Sequence, residues 1–477
     1  MAEYKNTWFL KYKNVPEEAY GFLTCMYVMS LEAWRRNLEV KFFLKRSKSL
    51  MHGISYSVSD GKDTHYFSGS RGDETDRQAI RICADKQLTK KYLEKMNVSV
   101  PEGKSFDENA SVEDIVNYSE KLGYPLVLKP NSGGGGGVGV VTNIKNSKDM
   151  IKHLKKIKGV SRFPSVIVER YFVGEDYRIN VLNGKILGAF HRRAQSVVGD
   201  GIHNIQELLR LKNEERSASP FLAKGKLKLD KRMIDYLEEQ DKSSKYVPDV
   251  GERVYVRRNG EFFGQRDAVD MTEELSDNLK HNAIQAVEAI PGLNYAGVDM
   301  LIDFEKDECI VNEVNSLPQI SNHIFPMEGN ARDIPQMIMD YFFPGTAYKN
   351  SLKDRYYYDF RPIIDNFRNG TASEVKLPQL PKKILVTKKY TLFGEMFNKK
   401  YLERMKKEAV GLSISGVIKV IDQNQLEFIV LGTELKIQKL YHILQKPPFR
   451  YVKIKKIQTH AYSGYIRQGI EVKDISS

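Results

Sequence analysis

The chain has 477 residues, 41% of them hydrophobic and 28% charged, which is typical of a soluble globular protein with several domains. No run of about 18 apolar residues occurs, which argues against a membrane-spanning helix. The three cysteines are far apart and match no metal or disulfide spacing, so we expect a cytoplasmic protein with reduced thiols.

The net charge of +13 is concentrated near the end of the chain. Residues 351–477 contain 24 Lys and Arg against 12 Asp and Glu, whereas the first 350 residues contain 50 against 49. A basic C-terminal part is compatible with an anionic partner. A solvated, lysine-rich surface is the commoner explanation of such a charge surplus.

Short helices and strands are predicted over the first 160 residues. Asp60-Gly61 marks a hairpin turn, Ser111 is an N-cap and Gly123 follows a helix end. Periodicity predicts helices over 16–37, 76–97, 111–123 and 146–159, and strands over 38–44, 124–130 and 138–144.

Strands dominate the next part of the chain. Residues 165–193 are strand-rich with a turn at Asn183-Gly184. Three further strands are predicted over 252–260, 295–304 and 309–317, and helices over 205–240, 277–292 and 332–345. Beyond residue 381 the order strand, helix, strand, strand, helix, strand, strand predicts a two-layer α+β domain.

Five consecutive glycines, Gly133 to Gly137, lie between two predicted strands. A dinucleotide-binding turn requires a helix after the glycines, and a Walker loop requires Lys-Ser/Thr; neither follows here. A flexible linker would lie between domains in polar surroundings. The remaining alternatives are a plain structural turn and a hairpin whose backbone N–H groups, with Lys129 beside them, bind phosphates.

Three oxygen-bearing side chains are predicted to share one site further along. Glu313 and Asn315 lie two apart on a strand and therefore project from the same face. A turn after the preceding strand brings Asp299 beside them. Hard oxygen ligands of this kind suit Mg²⁺ that carries nucleotide phosphates.

These motifs together resemble the ATP-grasp superfamily of carboxylate–amine ligases, and most closely the ATP-grasp region of cyanophycin synthetases and bifunctional glutathione synthetases. The resemblance covers roughly residues 70–345. It rests on the helix after Glu74, the glycine loop, "IVERYFVGEDYRI" (167–179), "VVGDG" (197–201) and "GVDMLI…NEVNSLP" (297–318).

The resemblance implies a role for each matching residue. ATP and Mg²⁺ (or Mn²⁺) would be the cofactors, with phosphates held by Lys86 and Lys129. The loop over the phosphates would contain Ser132, Gly133, Gly134, Gly135, Gly136, Gly137 and Gly139. Adenine and ribose would be bound by Glu169, the backbone of Arg170, Tyr171 and Phe172, and Asp176. The catalytic arginines would be Arg178 and Arg193, and the metal ligands Asp299, Glu313 and Asn315.

The implied activity is ADP-forming amide synthesis through an acyl phosphate, on an amino acid or peptide. We expect no membrane and no nucleic acid as partner, and a homo-oligomer is compatible with the family. The substrate-side loop departs from the family pattern at residues 259–270, and Pro318-Gln319 replaces a usual Pro-Gly. The relatives' substrates are therefore not transferred. A non-catalytic scaffold that binds a polyanion, and an acyl-phosphate hydrolase, are the alternatives.

The C-terminal element order resembles the acylphosphatase fold, with Asn398 and Val420 where that family carries catalytic residues. We therefore predict an α+β chain with an ATP-grasp fold, in which two α/β subdomains grip ATP, and a C-terminal ferredoxin-like sandwich without that catalysis. The predicted domains are 1–80 (N-terminal α/β), 81–345 (ATP-grasp), 346–380 (linker) and 381–477 (basic, acylphosphatase-like).

Overall fold

The computed structural model describes residues 8–45, 53–131, 139–158, 165–258, 266–348, 352–381, 383–395, 397–446, 449 and 451–473. The strands are β1 Glu39–Leu44, β2 Ile54–Ser59, β3 Thr64–Phe67, β4 Gly103–Phe106, β5 Leu126–Pro130, β6 Val141–Ile144, β7 Val166–Arg170, β8 Glu175–Leu182, β9 Lys185–Arg193, β10 Ser196–Val198, β11 Arg253–Tyr255, β12 Asp267–Asp270, β13 Tyr295–Asp303, β14 Glu308–Asn315, β15 Tyr356–Tyr357, β16 Glu374–Lys376, β17 Leu385–Glu395, β18 Ser415–Asp422, β19 Gln425–Thr433, β20 Lys453–Ala461, β21 Ile466–Arg467 and β22 Ile470–Lys473.

The α-helices are α1 Leu23–Arg35, α2 Arg77–Ala84, α3 Lys86–Lys95, α4 Val112–Leu122, α5 Ser147–Lys158, α6 Ile205–Ser217, α7 Lys231–Glu238, α8 Asp277–Glu288, α9 Ser321–Ile324, α10 Ile334–Phe342, α11 Arg361–Arg368, α12 Lys399–Gly411 and α13 Glu434–Gln445. No helix in the described ranges has both the length and the apolar character needed to cross a membrane. The chain divides into two compact units. Unit 1 comprises Met1–Phe9 and Ser68–Ile338, and unit 2 comprises Leu10–Phe67 and Met339–Ser477.

Unit 1 contains two main sheets. A four-stranded sheet has the order β4-β7-β5-β6, and a five-stranded antiparallel sheet has the order β12-β9-β8-β13-β14. Helices α4 and α5 pack on the first sheet through side chains at helical spacing, such as Ile115 and Leu122 on α4. Helix α8 covers one face of the five-stranded sheet, which we call the central sheet, through residues such as Leu279 and Ala283.

Unit 2 contains a four-stranded sheet with the order β16-β1-β2-β3 and a second five-stranded sheet with the order β20-β17-β19-β18-β22, which we call the C-terminal sheet. Helices α12 and α13 pack on it through apolar residues at spacings of three and four, such as Met405 on α12 and Ile437, Leu440 and Leu444 on α13. The predicted order of these elements is confirmed. A likeness to acylphosphatases stays a prediction.

Local signals in the sequence set several element ends. The hairpin at Asp60-Gly61 and the turn at Asn183-Gly184 are present, and Ser111 caps α4 by accepting the N–H of Asp114. Residues 346–380, predicted as a linker without clear periodicity, contain β15, α11 and β16, and β16 pairs with β1. Elements of two, eight and three residues are too short to show a period. The four-part domain division stays a prediction.

Candidate functional site

The central sheet has one apolar and one polar face. On β8, Ile179 and Val181 belong to the apolar core that contains α8. Successive side chains of a strand point to opposite faces, so Asp176, Arg178 and Asn180 project from the other side. Charged side chains on an inner sheet strand are costly to bury, which makes this polar face the first place to look for a site.

Arg178, Asp299 and Glu313 stand in one row across three neighbouring strands. The register of β13 places Asp299 opposite Arg178 of β8 on one side and opposite Glu313 of β14 on the other. Asn315 lies two residues beyond Glu313, opposite Gly297, and so shares the same face. The structure therefore brings together the three residues predicted to bind metal, and their role as ligands stays a prediction.

The Asp299 carboxylate is held by two arginines. Arg178 donates from Nε to Oδ1 and from Nη2 to Oδ2 at 2.8 Å, and Arg192 Nη2 lies 2.8 and 2.9 Å from the two oxygens. Asp299 is only 5% exposed. Burial raises the pKa of Asp299, but the charges of Arg178 and Arg192 outweigh it and hold that pKa below its ordinary value.

Arg193, the second arginine that we predicted to be catalytic, does not join this cluster. It lies opposite Asp267 on β12, and its Nη1 donates to Glu328 Oε2 at 2.6 Å. Because Arg178 pairs with Phe190, the residue two further along β9 shares the polar face, and that residue is Arg192. Counted from the Asn183-Gly184 turn alone, Arg178 would pair with Ala189, and Arg193 would share the polar face. An irregularity in the β8–β9 pairing between Asn180 and Val181 shifts the register by one residue, so the strand period by itself does not find Arg192.

A cavity of about 320 Å³ lies beside the polar face, with Glu313 in its wall. Its lining also includes lysines from three elements, namely Lys86, Lys90 and Lys91 of α3, Lys104 of β4 and Lys129 of β5. Lys86 is the first residue of α3, whose N-terminus is capped by the Asp85 side chain. The lining thus has five lysines against three glutamates, a surplus of positive charge that suits a ligand with phosphate groups.

The predicted phosphate and base residues contact one another in this cavity. Lys129 Nζ lies 2.6 Å from Glu169 Oε2 and 3.1 Å from Asn312 Oδ1, and Lys90 Nζ lies 3.7 Å from Glu169 Oε1. Lys86 Nζ lies 3.9 Å from Glu313 Oε2. Glu169 and Lys129 are both buried, which strengthens their attraction relative to a surface pair.

The remaining residues that we predicted to bind the nucleotide differ in what they contact. The N–H groups of Arg170 and Tyr171 donate to the carbonyls of Glu102 and Pro125. These two groups are thus used within the sheet, and Phe172 follows the end of β7. Asp176 accepts a hydrogen bond from Arg266 Nη1 at 2.6 Å, and its role as a ribose ligand stays a prediction.

The predicted glycine loop falls largely outside the described residues, which exclude Ser132 to Gly137. Gly139 is described and has a φ of +83°, a conformation that favours glycine. Part of the divergent substrate-side loop, residues 259–265, also lies outside the described residues.

Two buried polar side chains on the polar face lack hydrogen-bond partners in the described part of the chain. They are Asn180, through both amide atoms, and His323, through both ring nitrogens. A side chain at Gly188 would meet His323 Nδ1 at 2.9 Å, so the glycine permits this approach. Burial, with the charges of Arg178, Arg332 and Arg192, lowers the pKa of His323 to about 3, so the ring is neutral at pH 7.

Magnesium fits this site by the chemistry of the donors. Two carboxylates and an amide supply hard oxygen atoms, although the described residues contain no group of three His, Cys, Asp or Glu arranged for a metal. A carboxylate offers about four lone-pair sites, and Asp299 accepts four hydrogen bonds. Asp299 therefore becomes a ligand only when an arginine gives up at least one of these bonds.

The C-terminal sheet has a cleft of its own. The cleft has a volume of about 1060 Å³, and both Asn398 and Val420 line it. The Asn398 side chain caps α12 by accepting the N–H of Tyr401 at 3.0 Å. This position, where acylphosphatases carry a catalytic residue by the resemblance, is thus used to start a helix.

Comparisons with known proteins agree with the geometry of unit 1. Residues 85–183 match the family described as carbamoyl-phosphate synthase L chain, ATP binding domain. The range includes Lys86, Lys129, Glu169 and Arg178. Over these residues the chain is similar to an ATP-binding domain, and the helices and sheets of the described residues agree with the predicted α+β class.

The chain is similar to parts of several longer synthetases. Cyanophycin synthetase of Crocosphaera subtropica is 31% identical over 276 residues, which are 56% of this chain and 31% of the relative. The glutathione biosynthesis bifunctional protein GshAB of Clostridium perfringens is 28% identical over 331 residues, 66% of this chain and 40% of the relative. A solved bifunctional glutathione synthetase from Pasteurella multocida is 26% identical with a TM-score of 0.49, covering 63% of this chain and 41% of that one. The chain spans less than half the length of each of these relatives.

Proposed function

We propose that the chain is an ATP- and Mg²⁺-dependent carboxylate–amine ligase that releases ADP and phosphate. One observation carries the proposal: cations of unit 1 converge on the cavity and the adjoining polar face, where carboxylates for a metal lie beside them. The cations are Lys86, Lys129, Arg178 and Arg192, and the carboxylates are Asp299 and Glu313.

The reaction needs alignment and charge neutralisation from the protein. A substrate carboxylate attacks the γ-phosphorus of ATP and ADP leaves; an amine then attacks the carbonyl carbon of the acyl phosphate and phosphate leaves. Lys86 and Lys129 hold the phosphates, while Arg178 and Arg192 neutralise the transferred group as its charge spreads. Asp299, Glu313 and Asn315 would hold Mg²⁺, which would supply positive charge to neutralise the phosphates.

The substrates that we propose are amino acids or peptides. The named relatives concern cyanophycin and glutathione. The substrate-side segments of this chain depart from the family pattern at residues 259–270 and at Pro318-Gln319. We therefore keep the substrate class and leave the relatives' particular substrates aside. A cytoplasmic location and a homo-oligomer stay predictions.

Nucleotide turnover against amino-acid pools tests the proposal directly. The chain is incubated with ATP, Mg²⁺ and pools of amino acids and dipeptides, and ADP, AMP and phosphate are measured separately. Pool-dependent ADP formation is expected, and it is expected to disappear in Glu313→Gln. Formation of AMP, or no binding of ATP, contradicts the proposal.

The two alternatives give different results in the same assay. A scaffold binds a polyanion with a steep dependence on salt and turns over no nucleotide. A hydrolase acting through the C-terminal cleft cleaves a simple acyl phosphate without ATP, and Glu313→Gln retains that activity.

A further inference from the structure

Both oxygens of the Asp299 carboxylate are fully occupied by arginines. Arg178 gives one hydrogen bond to each oxygen, and Arg192 gives one to each from a single nitrogen, Nη2. These four bonds use the four lone-pair sites that a carboxylate offers. A divalent cation that takes Asp299 as a ligand must therefore displace a guanidinium first.

The same pairing recurs at the other carboxylates of the site. Lys86 forms an ion pair with Glu313, the second carboxylate that we assign to the metal. Lys129 forms an ion pair with Glu169, which we assign to the adenine base. Each cation assigned to phosphate is thus the partner of a carboxylate assigned to the metal or the base. When nucleotide and metal bind, the phosphates take over these cations, and the metal or the base takes over the carboxylates.

The two arginines differ in how readily they leave Asp299. The Arg178 side chain is 9% exposed and contacts Asp299 through two nitrogens. The Arg192 side chain is 20% exposed, lies at the end of β9 and contacts Asp299 through one nitrogen. Its Nη1 already lies 3.5 Å from Asp176 Oδ1, so a second anion is within reach. Arg192 is therefore the one that moves.

Phosphate oxygens are a suitable new partner for this guanidinium. Arginine binds phosphate through two parallel charge-assisted hydrogen bonds, whereas Arg192 now uses one nitrogen for two oxygens. Release of Arg192 frees one lone-pair site on each Asp299 oxygen. A movement of the Arg192 guanidinium from Asp299 to a phosphate would thus bind the phosphate and free Asp299 for the metal.

We propose that Arg192 blocks cation binding at Asp299 until nucleotide phosphates draw its guanidinium away, so that nucleotide and divalent cation bind this site together. The inference rests on the proposed function in taking the lysine-lined cavity as the nucleotide site. Coupling of this kind is reciprocal: the nucleotide tightens metal binding by the factor by which the metal tightens nucleotide binding.

Binding of Mn²⁺ to the full chain tests the proposal without catalysis. The electron paramagnetic resonance signal of unbound Mn²⁺ is titrated with and without a non-hydrolysable ATP analogue, and Mn²⁺ held by the analogue in solution is subtracted. In the parent chain we expect the analogue to tighten Mn²⁺ binding about tenfold or more. In Arg192→Gln, Mn²⁺ binds more tightly without nucleotide, and the effect of the analogue shrinks.

Matched variants assign the effect to this site. Arg210→Gln removes an exposed arginine of α6, which pairs with Glu214, and is expected to behave as the parent does. Glu313→Gln is expected to lose Mn²⁺ binding. Arg192→Lys keeps the charge without the forked donor geometry and is expected to lie between the parent and Arg192→Gln, so it replaces the glutamine variant if that one fails to fold.

Several results overturn the proposal. One is equal Mn²⁺ affinity in the parent with and without the analogue, and another is no change of Mn²⁺ affinity in Arg192→Gln or Arg192→Lys. Retained Mn²⁺ binding in Glu313→Gln also overturns it. Displacement of a fluorescent ATP analogue is measured in parallel. No nucleotide binding overturns both this inference and the proposed function, whereas nucleotide binding without coupling to Mn²⁺ overturns this inference alone.

Discussion

The central sheet of unit 1 and the C-terminal sheet of unit 2 both have five strands, and they use charge in opposite ways. The first 350 residues have a surplus of one positive charge, yet the polar face of the central sheet buries Asp299 between two arginines. The last 127 residues have a surplus of 12, yet the edge strand β20 carries its lysines exposed, among them Lys453, Lys455 and Lys456.

This comparison shows that the arrangement of charged side chains indicates a functional site better than the net charge does. Exposed lysines on an edge strand discourage pairing with another sheet and contribute little to stability. Buried ion pairs cost desolvation free energy and are poor devices for stability, so a cluster of them needs another explanation. Binding of a multiply charged ligand supplies that explanation for the central sheet.

The largest effect is expected from Glu313→Gln, which removes a charge from the polar face without removing volume. ADP formation is expected to fall about 10³-fold, as when one stabilising contact to the transition state is lost. Glu313 is partly exposed and its lysine partner is 3.9 Å away, so the fold should be retained. A coupled ADP assay and thermal unfolding measure the two effects.

Lys455→Gln is the matched change on the C-terminal sheet, and it is expected to leave ADP formation as it is. Equal losses in the two variants would contradict the contrast between the sheets. Full turnover in Glu313→Gln would contradict the metal assignment.

The variant Asp299→Ala tests the comparison of the two sheets through the free energy of unfolding. The variant leaves Arg178 and Arg192 buried without their carboxylate, and we expect the free energy of unfolding to fall by about 3 kcal/mol. Glu434→Ala removes the partner of Lys388 at the surface of unit 2, with an expected loss below about 1 kcal/mol. Urea titration of both variants measures these values, and similar losses would show that burial does not separate the two sheets.

His323 provides a pH test of the polar face. Its pKa is about 3 in the folded chain against an ordinary value near 6.5, so between these values the unfolded chain binds a proton that the folded chain does not. Stability is therefore lost as pH falls from about 6.5 toward 3, and by pH 5 the loss from this group is about 2 kcal/mol. Urea titrations at pH 7 and pH 5 should show that His323→Gln loses about this much less than the parent. An identical pH dependence in both would contradict the environment described for the ring.

Much of this architecture was predictable from the sequence because its causes are local. Asn183-Gly184 fixes the β8–β9 hairpin, and alternation along β14 puts Glu313 and Asn315 on one face. The predicted pairing of Asp299 with those residues follows from the hairpin that joins β13 to β14.

Other features depend on contacts between distant residues, which no local pattern reveals. The pairing of β16 with β1 joins positions more than 300 residues apart, so residues 346–380 lack a visible period. We predicted Arg193 and not Arg192 because the resemblance rests on a sequence motif. Which of the two side chains lies on the polar face depends on the register of β9 against β8. The lack of hydrogen-bond partners for Asn180 and His323 among the described residues is likewise a matter of tertiary packing, in which His323 lies close to Gly188.

The smallest expected effect compares two ion pairs of similar length. Lys129–Glu169 on the cavity wall measures 2.6 Å with side chains 10% and 7% exposed, and Lys388–Glu434 in unit 2 measures 2.8 Å with side chains 31% and 48% exposed. Double-mutant cycles should give a coupling free energy of about 2 kcal/mol for the buried pair and below about 1 kcal/mol for the surface pair. In 1 M salt the Debye length is about 3 Å, so the surface coupling should vanish while the buried one largely persists. Equal coupling and equal salt dependence would mean that geometry, and not burial, sets the strength of these pairs, and the distinction between buried and exposed charge in the two units would then fail.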